Sequence, residues 1–382
     1  MKIYDYVESQ IKGLWGTDFD ENGIPVIKTN NLTYEGNIDY SEICKRNITK
    51  EQAKGCYLRP GDLLIEKSGG TKTHSVGYVS YFEGDENKFV CNNFILALRP
   101  KNTINSKFLF YQIQFKYESN QFSDCFNKTT GIQNLKVKDY LAKEIKIYSS
   151  EEQEKIVKEL DTVRSTINKN KQILEKYDTL IKSRFIEMFG DPVTNPKGWE
   201  IIKLADSVIA LPQNGMYKPQ SDYVNDLSGI PILRIDGFYE GKISDWGSLK
   251  RLKCSNDDIK KYHLNENDIV INRVNSIEYL GKCAHSQGLK ETTVYESNMM
   301  RMHFDDNRFN PVYVTKLLCS NFIYGQILNH AKKAVNQASI NQKDVLDFDL
   351  YVPPLPLQNN FAAFVQQIDK SKFEYTNIGV AA

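Results

Sequence analysis

The sequence predicts an α+β chain: two similar mixed α/β domains joined by long coiled-coil spacer helices. Three observations carry this reading. The chain repeats itself at a nearly constant offset, each copy is cut into short β-branched and aromatic runs, and a heptad-spaced helical segment lies between the copies. At 382 residues the chain exceeds one ordinary core and suits two domains of about 150 residues with a connector.

The repeat fixes the architecture. Ile24-Pro25-Val26-Ile27 recurs as Ile230-Pro231-Ile232-Leu233, and Gly61-Asp62-Leu63-Leu64-Ile65 recurs as Asn267-Asp268-Ile269-Val270-Ile271, both 206 residues on. Asn93 answers Asn298, Leu135-x-x-Lys138-Asp139 answers Ile340-x-x-Lys343-Asp344, and Gln153 answers Gln358, each 205 residues on. Each match alone is trivial; five in the same order point to two copies of one fold. Within the copies, Asp62 to Ile65, Val76 to Phe82 and Phe89 to Leu98 read as strands. Ser106 to Glu118 and Pro311 to Leu328 have helical apolar spacing.

Between the copies, Ser149 and Ser150 each precede a Glu or Gln by three residues, the spacing of a capping box at a helix start. Ile156, Leu160, Val163, Ile167, Asn170, Leu174, Tyr177, Ile181 and Met188 then keep a 4-3 spacing, with only the slot near Arg184 polar and Phe185 beside it. That is a coiled-coil seam, and Asn170 within it sets register at some cost in stability. The predicted helix, Glu151 to Met188, is roughly 57 Å long and ends at Gly190-Asp191-Pro192. The second copy closes on Val352-Pro353-Pro354, after which a helix is expected from about Gln358 to about Tyr375, with Phe361, Phe364, Val365 and Ile368 as its apolar stripe. The expected domains are therefore 1–149, a first spacer helix over 150–190, a second domain over 191–355 and a short second spacer over 356–382.

Composition excludes several classes. No apolar run approaches the ~20 residues that span a bilayer, and the N-terminal stretch carries no export signal, so a cytoplasmic location is expected. Seven scattered cysteines without a C-x-x-C pair, and five histidines without ligand spacing, predict neither a disulfide framework nor a metal site. A net charge of +1 is modest for a nucleic-acid binder, but charge is distributed unevenly. Asn307 to Gln342 holds Arg308, Lys316, Lys332 and Lys333 without an acid, and Lys67 to Phe82 holds Lys67, Lys72 and His74 without one.

The exits of the two copies carry a family resemblance. Ile145-Lys146-Ile147-Tyr148-Ser149-Ser150-Glu151-Glu152-Gln153 and Leu350-Tyr351-Val352-Pro353-Pro354-Leu355-Pro356-Leu357-Gln358 resemble the apolar, Pro-Pro, Gln, helix-start signature of type I restriction-modification specificity subunits. Ser149-Ser150 stands where that family usually has prolines. Ile181 to Pro192, followed by Gly198-Trp199-Glu200, is similar to the family's passage from spacer helix into second domain. The resemblance implies two target-recognition domains, each reading one half of a bipartite double-stranded DNA target. It further implies antiparallel helices that set the spacing and dock two methyltransferase subunits, with a nuclease/translocase subunit joining them. No cofactor is implied. The docking residues would be Ile156, Leu160, Val163, Ile167, Asn170, Leu174, Tyr177, Ile181, Phe361, Val365 and Ile368, and the short second helix departs from the family pattern. With half of the first helix left uncovered, its seam is also open to self-association.

Base readout needs polar side chains on exposed loops, framed by cations that hold phosphates. Two loops per copy fit. The first supplies Lys67, Ser68, Lys72 and His74, answered by Arg273, Asn275 and Ser276; the second supplies Lys128, Thr129, Gln133 and Asn134, answered by Lys333, Asn336, Gln337 and Ser339. Asn and Gln pair bidentately with adenine, Lys and Arg with guanine.

Two rival classes remain beside this reading. A nuclease centre at Asp62, Glu66 and Lys67 fails because neighbouring strand residues face opposite ways and the second copy has Asn272 and Arg273 there. No methyltransferase, phosphate-loop or nucleophile-elbow motif occurs, so no enzyme activity is expected of the chain itself. A protein-binding coiled-coil scaffold accounts for the helices but not for the duplicated basic loops. The specificity subunit of a self-contained methylase-nuclease system stays open as an alternative.

Overall fold

A computed structural model describes residues 1–70, 74–128, 132–335 and 337–380. Its contacts divide the chain into two units, Met1–Ile167 and Asn168–Ala382, and the division falls inside one helix of 40 residues, Ser150–Phe189. That helix exceeds the heptad expectation by one residue at each end. Ser149 caps it as expected, its hydroxyl accepting from the Glu152 N–H while the Glu152 carboxylate accepts from the Ser149 N–H.

In the first unit an antiparallel sheet runs in the order Val7–Ile11, Ile95–Pro100, Leu63–Glu66, Val79–Tyr81. Strand alternation sorts its central residues: Leu63 and Ile65 pack with Phe108 and Leu109 of the helix Ser106–Glu118, whereas Leu64 packs with Ile27 and Cys91 of a second sheet. That second sheet is Cys44–Arg46, Phe19–Ile27, Val90–Cys91. The second unit repeats the plan. Val208–Asn214, Met299–Phe304, Ile269–Asn272 and Cys283–His285 are the corresponding strands, extended by Gly241–Ile243 and Phe238–Tyr239. Ile269 and Ile271 face Tyr313 and Val314, and Val270 faces Leu233 and Tyr295.

The repeat extends to hydrogen bonds. Val26 pairs in parallel with Val90, as Ile232 does with Val294. The Gln153 side chain accepts from the Asn105 N–H at 3.0 Å and donates to the Tyr148 carbonyl, tying a helix start to a helix cap; Gln358 does the same with Asn310 and Pro353. One sequence landmark is out of register. Lys67 N–H donates to the Phe94 carbonyl and Arg273 N–H to the Asn298 carbonyl, both at 2.8 Å, so Phe94 rather than Asn93 is the counterpart of Asn298. The cause is a hairpin two residues shorter in the second unit, which moves the offset from 206 at Ile65 and Ile271 to 204 at Val79 and Cys283.

Other expectations need correction. Pro311 to Leu328 is two helices, Pro311–Leu318 and Asn321–His330, because the Ser320 hydroxyl caps a new start at the Ile323 N–H. Val76 to Phe82 forms a strand only over Val79–Tyr81, and Phe89 to Leu98 divides into Val90–Cys91 and Ile95–Pro100 around a turn where the Asn92 side chain accepts from Phe94 N–H. The last helix spans Leu355–Val380, longer than Gln358 to Tyr375. Pro356 lies in its first turn, where a missing N–H breaks no intrahelical bond, and Tyr375 against Tyr177 with Lys372 on Asp178 carries helix contacts past the apolar stripe.

The 4-3 seam serves two different purposes. In the second unit Ile181, Phe185 and Phe189 are buried against Phe361, Val365 and Ile368, so Phe185 takes the slot and Arg184 lies over the Phe364 ring. In the first unit the helix docks through Ile156 of the seam and through residues beside the seam. Ile156 and Val157 pack on the core, Asp161 accepts from the Tyr111 hydroxyl and pairs with Lys107, and Arg164 reaches Asn37. Leu160 and Ile167 are left 39% and 38% exposed, Val163, Asn170, Leu174 and Tyr177 are half-buried, and Asn170 Nδ2 is buried without a hydrogen-bond partner.

Candidate nucleic-acid interface

The two sequence-predicted loops of each unit meet in a small three-stranded sheet. In the first unit Ser68–Gly69 pairs with Gln133–Leu135, which pairs with Phe126–Lys128. In the second, Val274–Asn275 pairs with Ala338–Ser339, which pairs with Lys332–Lys333. Segments more than 60 residues apart in sequence are thus one surface in each unit. The chain enters this sheet from the end of a central strand, Glu66 or Asn272, so the core positions the loop.

The individual residues fall as follows. Lys67 and Arg273 are half-buried and equivalent, each also accepting through its carbonyl from the following copy landmark, Leu135 or Ile340. Arg273 donates to the Ser297 carbonyl at 3.1 Å. Ser68 donates to the Asn134 side chain at 2.6 Å across the strand pair, and the Gln133 side chain accepts from Val76 N–H at 3.3 Å. His74 is exposed and stacks on Tyr34, with centroids 3.7 Å apart. Asn275 accepts from the N–H of Ser276, a half-buried residue; Ser339 is paired to both neighbouring strands. Lys333 and Gln337 are exposed at the hairpin. Lys72, Thr129 and Asn336 lie outside the described residues, as does the side chain of Lys128.

Gly69 and Gly70 have φ of +136° and +72°, so the turn needs glycine for its conformation, and a Cβ on Gly69 would also displace the Glu66 carboxylate, 2.5 Å away. Burial pushes the Glu66 carboxyl up, opposed by a hydrogen bond from Gly70 N–H. Asn272 occupies the equivalent place, fully buried, with neither side-chain polar atom hydrogen-bonded. Sequence reasoning missed Tyr34, which reaches the loop from a distant turn, and Val335, 98% exposed at the tip of the second hairpin. An apolar residue closely following Lys332 and Lys333 in a polar loop was the available signal for Val335; Tyr34 had none.

At the opposite end of each central strand, just before Leu63 or Ile269, sits a buried aspartate with a different partner. Asp62 is held by Nη2 and Nε of Arg99 at 2.7 and 2.9 Å, whereas Asp268 is held by Arg301 and by His303 Nδ1 at 2.8 Å, with Asp306 on the far side of the ring. Burial opposes charge on His303, but the hydrogen bonds to Asp268 and Asp306 outweigh it and hold the imidazolium above the usual histidine range. A folded-state value raised above the unfolded ~6.5 adds stability that is complete below that pH and is lost as pH rises through the folded value. The destabilisation caused by His303→Asn is therefore expected to be largest near pH 6 and to shrink by about pH 9, read from paired melting curves. The paired comparison cancels His330, which is raised, and His285, which burial lowers. A difference independent of pH would refute the ion pair.

Known proteins are similar to this chain in sequence and fold. A family model described as the type I restriction modification DNA specificity domain matches residues 9–176 and again 196–380. The type I restriction enzyme MjaX specificity subunit of Methanocaldococcus jannaschii is 32% identical over 177 residues, 46% of this chain and 40% of that protein. The chain thus spans less than half of that relative's length. The type I restriction enzyme StySPI specificity subunit of Salmonella potsdam is 24% identical over 362 residues, 90% of this chain and 75% of its own. The crystal structure of the type I restriction-modification S subunit from M. genitalium shares the fold, with a TM-score of 0.59 at 14% identity over 100% of this chain and 91% of that one. With its domain matched twice over most of the sequence, the chain belongs to the type I restriction-modification DNA specificity family.

Proposed function

We propose that the chain reads a bipartite double-stranded DNA target, one half-site per recognition domain, and supplies no catalytic group of its own. The observation that carries this reading is the pairing of two polar, basic loops into one three-stranded surface, made twice from the same strand framework. Domains over 1–149 and 191–355 would hold the surfaces, and helices over 150–190 and 356–382 would set the spacing and dock two methyltransferase subunits, with a nuclease/translocase subunit joining them. A cytoplasmic location fits this role; among the described residues, no helix is long and apolar enough to cross a membrane.

On this reading Lys67, Arg273, Lys332 and Lys333 hold phosphates, while Asn134, Asn275 and Gln337 address base edges. Each lost bidentate contact costs about 1–3 kcal/mol of discrimination, about 5- to 150-fold. Asn134→Ala is expected to relax the first half-site and leave the second, and Gln337→Ala to do the reverse. Methylation mapping of genomes modified by complexes containing each variant decides this: changes in both half-sites, or in neither, refute the assignment. The purified chain alone is expected to show no methyl transfer or cleavage, and either activity would overturn the non-catalytic role.

A further inference from the structure

The second unit contains a pair of thiols with no counterpart in the first. Cys283 lies on the strand Cys283–His285, fully buried, and its equivalent in the first unit is Val79. Cys319 ends the helix Pro311–Leu318 at the break before Asn321–His330, and it is exposed. Their sulfurs are 3.3 Å apart. A disulfide needs about 2.05 Å, so the two sulfurs must approach by little more than 1 Å.

The surroundings favour attack at one sulfur. Cys319 lines a cleft of about 730 Å³ in which Lys182, Lys282 and Lys316 are balanced by the carboxylates of Asp178, Asp191, Glu240 and Glu278, space enough for a small reagent of mixed charge. The contact with Cys283 draws the Cys319 thiol below the ordinary cysteine range, opposed by burial and helped by Lys316, while the same contact and burial push Cys283 up. An exposed, thiolate-prone cysteine beside a buried partner is the arrangement of an attacking and a resolving thiol. Cys283 pairs with Ile271, next to Asn272, the residue from which the chain enters the second reading surface.

We propose that Cys283 and Cys319 form a reversible dithiol–disulfide site whose oxidant is a low-molecular-weight disulfide. The Cys319 thiolate attacks one sulfur of the reagent, its S–S bond breaks, and one reagent thiolate leaves. Cys283, giving up its proton to that thiolate, then attacks the Cys319 sulfur and expels the second reagent thiolate, which takes a proton from solvent. Two protein thiols lose two electrons and the reagent becomes two thiols.

The test treats the full chain with oxidised glutathione, blocks remaining thiols with iodoacetamide and maps peptides without reduction. The expected product is a peptide linked through Cys283 and Cys319 that dithiothreitol reverses. Cys283→Ser should trap glutathione on Cys319, and Cys319→Ser should leave Cys283 unmodified in the folded chain. A persistent glutathione adduct on wild-type Cys319, a bridge to another cysteine or to a second copy, or no adduct in Cys283→Ser would each overturn the proposal.

Discussion

Replacing Asp62 by alanine is expected to destabilise the first unit by about 3–5 kcal/mol, roughly 10 °C in melting temperature. Asp62 is 1% exposed, accepts from Arg59 N–H at 2.7 Å, and takes two hydrogen bonds from Arg99. Burial pushes its carboxyl up and the Arg99 and Arg59 contacts oppose that shift, so the group gains little from its own desolvation and depends on its partners. Without it the Arg99 guanidinium, itself mostly buried, keeps only the Tyr57 carbonyl at 3.1 Å. The loss comes from the uncompensated cation more than from the missing pair. Asp62→Leu with Arg99→Met removes both charges and is expected to recover most of the stability. Hydrogen exchange resolves the effect to amides of residues 1–167; a loss below about 1 kcal/mol in Asp62→Ala would show that water reaches the pair.

The double change Leu160→Asp, Val163→Asp is expected to weaken assembly with methyltransferase subunits by at least about 10³-fold while both units stay folded. The first half of the long helix is anchored through Ile156, Val157, Asp161 and Arg164, so Leu160 is not needed to hold it on its unit. Buried seam contacts with Phe361, Val365 and Ile368 belong to the other half of the helix, around Ile181 and Phe185. Apolar residues left exposed at seam spacing fit a partner surface, and two carboxylates at its centre would be desolvated without counter-charges. Size-exclusion chromatography with light scattering gives the outcome. An intact complex of unchanged affinity would rule the surface out, and loss of a dimer of the chain instead would assign it to self-association.

Much of the fold was legible because it depends on local chemistry. Periodicity marked the 40-residue helix to within a residue at each end, Ser149 marked its start, and the repeat of Gln153 as Gln358 marked a position whose side-chain hydrogen bonds are the same in both units. The polar loops around Lys67 and Gln133 were legible as loops for the same reason, since glycine and short polar residues state a backbone conformation.

By itself, then, the sequence determined that there are two copies of one α/β plan, where the long helix runs, and which loops are polar and basic. Tertiary structure alone decided that Ser68 lies against Asn134 and Val274 against Ser339, that Tyr34 stacks on His74, and that Cys283 meets Cys319. It also decided which face of the long helix is covered, because the seam repeats evenly in sequence while the surfaces packed against it differ between the units. The physical reason is that strand pairing and side-chain contact across more than 60 residues depend on how the intervening core folds back, and the two-residue change in one hairpin that displaced the Asn93 landmark leaves no local signal.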